Sequence, residues 1–234
     1  MVKRCIPMAS SLKEKLSGLT RSLPGKPPSH KLFHERLSTG IVEMDSISEC
    51  LPRGAITEIA GPRSSGRTSL AYSILATATN HLETCAWVDA ADSLDANSAA
   101  SAGVILSRLL WIRCEGSLER AVRATDLLLQ GGGFGIVVAD LGGFTPETVR
   151  RIPMNYWFRF RLALEKTPTI LLVLARDLVA GSTATLSLRT DRRQPVWTGP
   201  AHYRYFDALE FRADRQKPVV ARKASCLFHA RSKS

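Results

Sequence analysis

Five short apolar runs, Ala55-Ala60, Cys85-Asp89, Leu109-Arg113, Ile136-Asp140 and Thr169-Ala175, alternate with longer segments of helical pattern. Each run is too short for a typical helix and several are rich in β-branched residues, so they read as buried strands. The stretches between them predict helices at about 67–81, 92–107, 117–130 and 146–164, the last broken near Pro153. Pro146 suits a first helical turn, and Gly131-Gly133 suit the end of the preceding helix. Strand and helix in alternation force parallel strands joined by right-handed crossovers, with helices on both faces. The expectation is an α/β doubly wound fold. After Thr190 the pattern changes to Val196-Trp197, His202-Phe206, Leu209-Arg212 and Pro218-Ala221, which predict short antiparallel strands added at one sheet edge.

The segment Gly61-Pro62-Arg63-Ser64-Ser65-Gly66-Arg67-Thr68 follows the first strand and opens the first helix, the context a Walker A phosphate loop requires. Its glycines permit tight turning, its amides can face phosphate oxygens, and the helix N-terminus adds favourable potential. Residues 61–69, from Gly61 to Ser69, are therefore the candidate nucleotide-binding set, for ATP or ADP with Mg²⁺. Thr68 would hold the metal by its hydroxyl, and Asp140, at the end of Ile136-Ala139, would reach it through water in the Walker B manner. Arg67 stands where Lys is usual. It keeps the charge but is longer and planar, a change that spares binding more than catalysis.

At 234 residues the chain has room for one α/β domain with short appendages. No run of eighteen apolar residues is present, and no secretory signal is apparent, so a soluble cytoplasmic protein with no membrane contact is expected. Cys5, Cys50, Cys85, Cys114 and Cys226 show no metal-ligand spacing and read as reduced, structurally neutral thiols. Charge is unevenly placed: +6 over residues 1–40, −2 over 41–188 and +7 over 189–234. Basic ends on a near-neutral middle fit phosphates or an acidic partner. Arg189, Arg192, Arg193, Arg222 and Lys223 are the candidate DNA contacts, with single-stranded DNA as the possible ligand. Near the start, Leu12, Leu16 and Leu19 form a narrow apolar stripe ahead of a Pro-rich linker, a candidate surface for a partner or a neighbouring protomer.

Leu51-Pro52-Arg53-Gly54, Glu58-Ile59, Gly61-Pro62 and Ser64-Ser65-Gly66 resemble the core of bacterial RecA recombinases, as do Ser38-Thr39-Gly40 to Asp45, Thr84-Ala90 and Leu94-Asp95. The resemblance covers about two thirds of the chain and implies a RecA-like P-loop core at 38–189, with a mainly parallel sheet flanked by helices. An N-terminal helix and linker at 1–37 would precede it, and a short antiparallel extension with a basic tail at 190–234 would follow. The departures bear on function. The resemblance places a catalytic glutamate where this chain has Ala91, adenine-stacking aromatics where it has Ala96, Asn97 and Ser98, and an Asn-Gln sensor where it has Ala175-Arg176. Both DNA-binding loops are shortened, to Leu141-Thr145 and Asp177-Thr185. No catalytic residue is assigned, and ATP turnover is expected to be very weak or absent.

A short, basic, degenerate RecA-like chain of this kind resembles the ImuA family, the RecA-like accessory proteins of bacterial translesion mutagenesis cassettes. That resemblance implies action in the SOS response beside RecA, a Y-family polymerase homologue and an error-prone replicative polymerase. It also implies nucleoid association and possible homo-oligomerisation. Two other readings stay open: a DNA-dependent ATPase of recombinational repair, and a non-catalytic interaction protein such as a cell-division inhibitor or recombinase mediator.

Overall fold

The computed structural model describes residues 36–200, 202–219 and 225–231. Leu12, Leu16, Leu19, Arg222 and Lys223 lie outside the described residues. The elements run β1 (Arg36–Leu37), α1 (Val42–Ser48), β2 (Leu51–Pro52), β3 (Ile56–Ala60), α2 (Arg67–Asn80), β4 (Cys85–Asp89) and α3 (Ala96–Ser101). They continue as β5 (Leu109–Arg113), α4 (Leu118–Gly131), β6 (Ile136–Asp140), α5 (Pro146–Val149), α6 (Met154–Leu164), β7 (Ile170–Ala175), β8 (Ala184–Thr198), β9 (Tyr205–Lys217) and β10 (Ser225–Arg231).

Eight strands form one sheet in the order β10-β9-β8-β3-β7-β6-β4-β5. Strands β3 to β8 are parallel where they pair, and β9 and β10 add antiparallel. This is the expected mixed α/β sheet with an antiparallel C-terminal end. Every residue of β3, β4, β6 and β7 is buried, because helices cover both faces. One apolar cluster joins α1, α2 and α3 to the sheet and includes Met44, Leu70, Ile74, Trp87 and Phe228. The other lies beneath α4 and α6 and includes Val122, Leu128, Trp157 and Phe160. Helix α4 shows why it forms: Ala121, Val122, Thr125, Leu128 and Leu129 fall on one buried stripe, Ser117 caps its first turn, and Gly132 leaves it at a φ of 66°.

Two differences from expectation have local causes, and the expected break at Pro153 is present. The helix expected at 92–107 is shortened to α3, followed by a single 3-10 turn at Leu106–Arg108. The Asp89 carboxylate takes the amides of Ser93 (2.8 Å) and Leu94 (3.0 Å), which holds that stretch out of the helix, and Asp95 then caps α3 through the amides of Asn97 and Ser98. The break at Pro153 is present between α5 and α6, with Pro153 immediately ahead of α6. The short antiparallel strands expected after Thr190 merge into a long β8-β9 ribbon, and β8 runs unbroken from Ala184 through residues 189 and 190 to Thr198. Register shifts at Arg192/Pro195 and Val196/Trp197 absorb the irregular pattern that the sequence displays as interruptions.

Candidate nucleotide-binding site

At the C-terminal end of β3 the chain turns through residues 61–66 into α2. Gly66, at a φ of 84°, is the N-cap of α2; no side chain caps the helix and its first turn holds no acid. Its leading amides therefore lack the side-chain partners that cap α3 and α4, and they favour an anion. The loop is held by strands remote in sequence. Ser65 Oγ lies 3.0 Å from Thr190 Oγ1, and Thr190 Oγ1 donates to the Ala60 carbonyl at 3.3 Å. A Cβ on Gly61 would meet the Thr190 carbonyl oxygen at 2.3 Å, and one on Gly66 would meet the Phe211 ring at 2.8 Å. These glycines are required by the β8-β9 ribbon as much as by the turn. Pro62, Arg63, Ser64 and Thr68 are exposed, Ser69 is half-buried, and Ser65, Gly66 and Arg67 are buried.

Arg67 is the unusual member. Its side chain is only 9% exposed, and its Nη1 is buried without a hydrogen-bond partner. The guanidinium rests on Gly142, where a Cβ would come within 2.8 Å of Nη1 and 2.9 Å of Nη2. Burial pushes its pKa down, the charge of Asp140 opposes this, and the charges of Arg176 and Arg63 add to the lowering. A buried cation with an unpaired N–H beside an uncapped helix N-terminus has the chemistry of a phosphate site.

Asp140 ends β6 directly opposite Asp89 of β4. Both of its oxygens are engaged: Ser93 Oγ donates to Oδ2 at 2.6 Å, and the Gly142 amide donates to Oδ1 at 3.0 Å. Burial raises its pKa, against those two hydrogen bonds and the charge of Arg67. Asp89 is fully buried and also accepts from Trp111 Nε1 at 3.1 Å, so it braces the turn and is closed to a ligand. Arg176, at the sensor position after β7, donates from Nε and Nη2 to the carbonyls of Gly142 (3.1 Å) and Gly143 (3.0 Å). Ala91 is exposed, and its Cβ faces Gly143, where a second Cβ would lie 2.2 Å away. Asp92, the nearest carboxylate in sequence, is paired with Arg113 at 2.9 Å.

Toward a metal carried by the phosphates, Thr68 offers one exposed hydroxyl, and Asp140, which accepts one hydrogen bond on each oxygen, keeps a lone pair on each for a metal-bound water. Among the described residues, no group of three or more His, Cys, Asp or Glu is placed to hold a metal ion. Beside Thr68 and Ser69 a cavity of about 690 Å³ opens, lined by Tyr72, Asp95, Asn97, Ser98, Phe228 and His229 among others. It gives room for a base and sugar next to the phosphate loop.

Of the other candidates, Arg189 is half-exposed and pairs with Asp177 at 2.7 Å, whereas Arg192 and Arg193 are exposed on the ribbon. Ser93, Gly142, Thr190 and Phe211 were not legible as site residues. For Gly142 the one visible signal was that it begins a Gly-Gly pair separated from the β6 strand by Leu141 alone, a place where the backbone can be approached closely.

An uncapped helix N-terminus after the central strand, a buried cation in the loop and an acid closing a nearby strand define the class: an α/β protein with a phosphate loop of the P-loop type. The sequence from 25 to 149, more than half of the chain, matches the RecA N-terminal domain, and the chain belongs to that family. It is 40% identical over 106 residues to the protein RecA of Ectopseudomonas oleovorans, covering 44% of this chain and 30% of the relative. It is 38% identical over 120 residues to the protein RecA of Deinococcus radiodurans, covering 50% of this chain and 33% of the relative. The chain thus spans about a third of the length of the curated relatives it matches. In three dimensions it is similar to the RadB recombinase, with a TM-score of 0.61 at 17% identity over 83% of this chain and 95% of that one. No helix among the described residues is long and apolar enough to cross a membrane.

Proposed function

We propose that this RecA-family chain is a nucleotide-binding accessory protein of DNA repair that binds ATP or ADP weakly and hydrolyses it little. The reading goes on to translesion synthesis in the SOS response, with RecA, a Y-family polymerase homologue and an error-prone replicative polymerase as partners and single-stranded DNA as a further ligand. Membership of the RecA family supports the repair setting. The observation that carries the reading is the contrast within one site. The phosphate loop keeps its glycines, its uncapped helix and a buried cation, while the position facing Gly143 is Ala91 and the adjacent Asp92 is tied to Arg113. Without a carboxylate to orient and deprotonate water, the in-line attack lacks its positioned nucleophile, so binding outlasts turnover.

The test is phosphate release with and without single-stranded DNA, alongside capture of companions from DNA-damaged cells. Trace turnover with RecA or the polymerases in the captured fraction is expected. Robust DNA-stimulated hydrolysis would instead establish a DNA-dependent ATPase. Capture of unrelated companions alone would remove the translesion role.

A further inference from the structure

The far end of the β8-β9 ribbon stands as two strands alone. Strand β8 pairs with β3 only from Ala184 to Arg189, and β9 pairs with β10 only from Ala208 to Asp214. On the free end Trp197 is 54% exposed, Tyr203 81%, Tyr205 61% and Phe206 42%. Trp197 lies opposite Phe206 in the ladder, and the two rings meet edge to face with centroids 6.0 Å apart. The comparable pairs Trp157 with Phe160 and Trp87 with Tyr72 are buried in the core. The ribbon pair forgoes that burial, and a cluster of large rings left in water marks a surface that meets something else. From Arg192 to Phe206 the sequence carries Arg192, Arg193 and Arg204 and no Asp or Glu. All three arginines are exposed, and among the described residues none is in an ion pair, whereas Arg189 and Arg212 on either side are held by Asp177 and Asp214.

From this placement we propose that the end of the ribbon is a stacking platform for the unpaired bases of single-stranded DNA, with Trp197, Phe206, Tyr203 and Tyr205 meeting base faces and the three arginines meeting the strand's phosphates. The proposal rests on the reading of single-stranded DNA as a ligand, and it adds a source of preference that charge does not supply. Arginines meet the phosphates of any strand, paired or unpaired. Aromatic rings meet bases whose faces are open, which a single strand offers and a stacked duplex does not. Every base has such a face, so the platform is indifferent to sequence. The unpaired positive charge around the rings is complementary to a polyanion, which favours a nucleic acid over a purely apolar partner. At about 3.3 Å per residue the stretch from Arg192 to Trp197 spans no more than about 16 Å, so ring and charge act on one short length of strand.

The experiment is a fluorescence-anisotropy titration of the full chain against three labelled ligands of equal length: an oligothymidylate, a strand with the same phosphates but abasic sugars, and a duplex. The oligothymidylate is expected to bind at least about fivefold more tightly than the abasic strand, the least that one stacked base contributes, and more tightly than the duplex. An abasic strand or a duplex that binds as tightly overturns the platform and leaves the DNA reading intact. Binding to none of the three removes both. Trp197→Ala should weaken oligothymidylate binding by about five- to 150-fold while leaving its salt dependence unchanged, because no phosphate contact is lost. Trp197→Phe keeps a ring and should recover most of that loss. A Trp197→Ala chain that binds oligothymidylate like the unmodified one, or that loses as much affinity for the abasic strand, also overturns the proposal.

Discussion

Adding one methyl group at Gly142 should separate nucleotide binding from stability. A Cβ there would lie 2.8 Å from Arg67 Nη1, 2.9 Å from Nη2 and 3.1 Å from Cζ, closer than carbon and nitrogen tolerate. The contacted atoms are the far end of a long side chain, so the guanidinium can swing aside and the fold need not yield. Gly142→Ala should therefore change unfolding free energy by no more than about 1 kcal/mol. It displaces the one buried cation of the loop, and losing a charge-assisted hydrogen bond to phosphate costs about 1.5–3 kcal/mol, or roughly 10- to 150-fold in affinity. Gly61→Ala is the contrast. Its Cβ would sit 2.3 Å from the Thr190 carbonyl oxygen, a backbone atom in the interior of the sheet, so overpacking of about 1–3 kcal/mol or more falls on stability. Urea unfolding and fluorescent-nucleotide titration of both variants check the argument. If Gly142→Ala binds as tightly as the unmodified chain, or destabilises as much as Gly61→Ala, the assignment of Arg67 to phosphate is wrong.

Two further outcomes follow from the same geometry. Glu58 is buried in β3, where Oε1 accepts the amides of Val179 (2.7 Å) and Ala180 (2.6 Å) and Oε2 accepts from Ser187 Oγ (3.2 Å), so Glu58→Ala should cost roughly 1–3 kcal/mol for each backbone donor left unpaired. Glu58→Gln keeps one oxygen for both amides and an NH₂ group for Ser187, and it should recover most of that loss in urea unfolding; equal losses would refute the account. On the ribbon, Arg192→Ala with Arg193→Ala should weaken single-stranded DNA binding and flatten its salt dependence by about 1.4 in log–log slope, two phosphate contacts' worth. Arg189→Ala should do less, because Asp177 already neutralises that guanidinium, and a larger effect at Arg189 would show that its ion pair opens on DNA.

How far the site was legible depends on how far apart in sequence its parts lie. Gly61 to Thr68 announce a phosphate loop because a strand, a glycine-rich turn and a helix follow one another within a few residues, and Asp140 announces itself by ending an apolar run. The sheet was legible for the same reason, since strand and helix alternate along the chain. The deceptive stretch was 92–107, where Ala, Ser and Asn read as helix but the Asp89 carboxylate captures two amides and keeps the chain before α3 out of the helix. No local pattern marks that competition, because Asp89 performs it from the end of a strand.

The loop's actual shape is set from farther away. Ser65 meets Thr190 across 125 residues, and Phe211 closes on Gly66 from the opposite strand of the ribbon. Thr190 and Phe211 sit in strands that read as an appendage to the core, with an ordinary threonine and an ordinary phenylalanine at buried positions. Yet they leave no room for side chains at Gly61 and Gly66. The ribbon is therefore one wall of the phosphate loop, and on the proposed nucleotide-binding reading a change that loosens β8 from β9 should weaken phosphate binding without touching the loop itself.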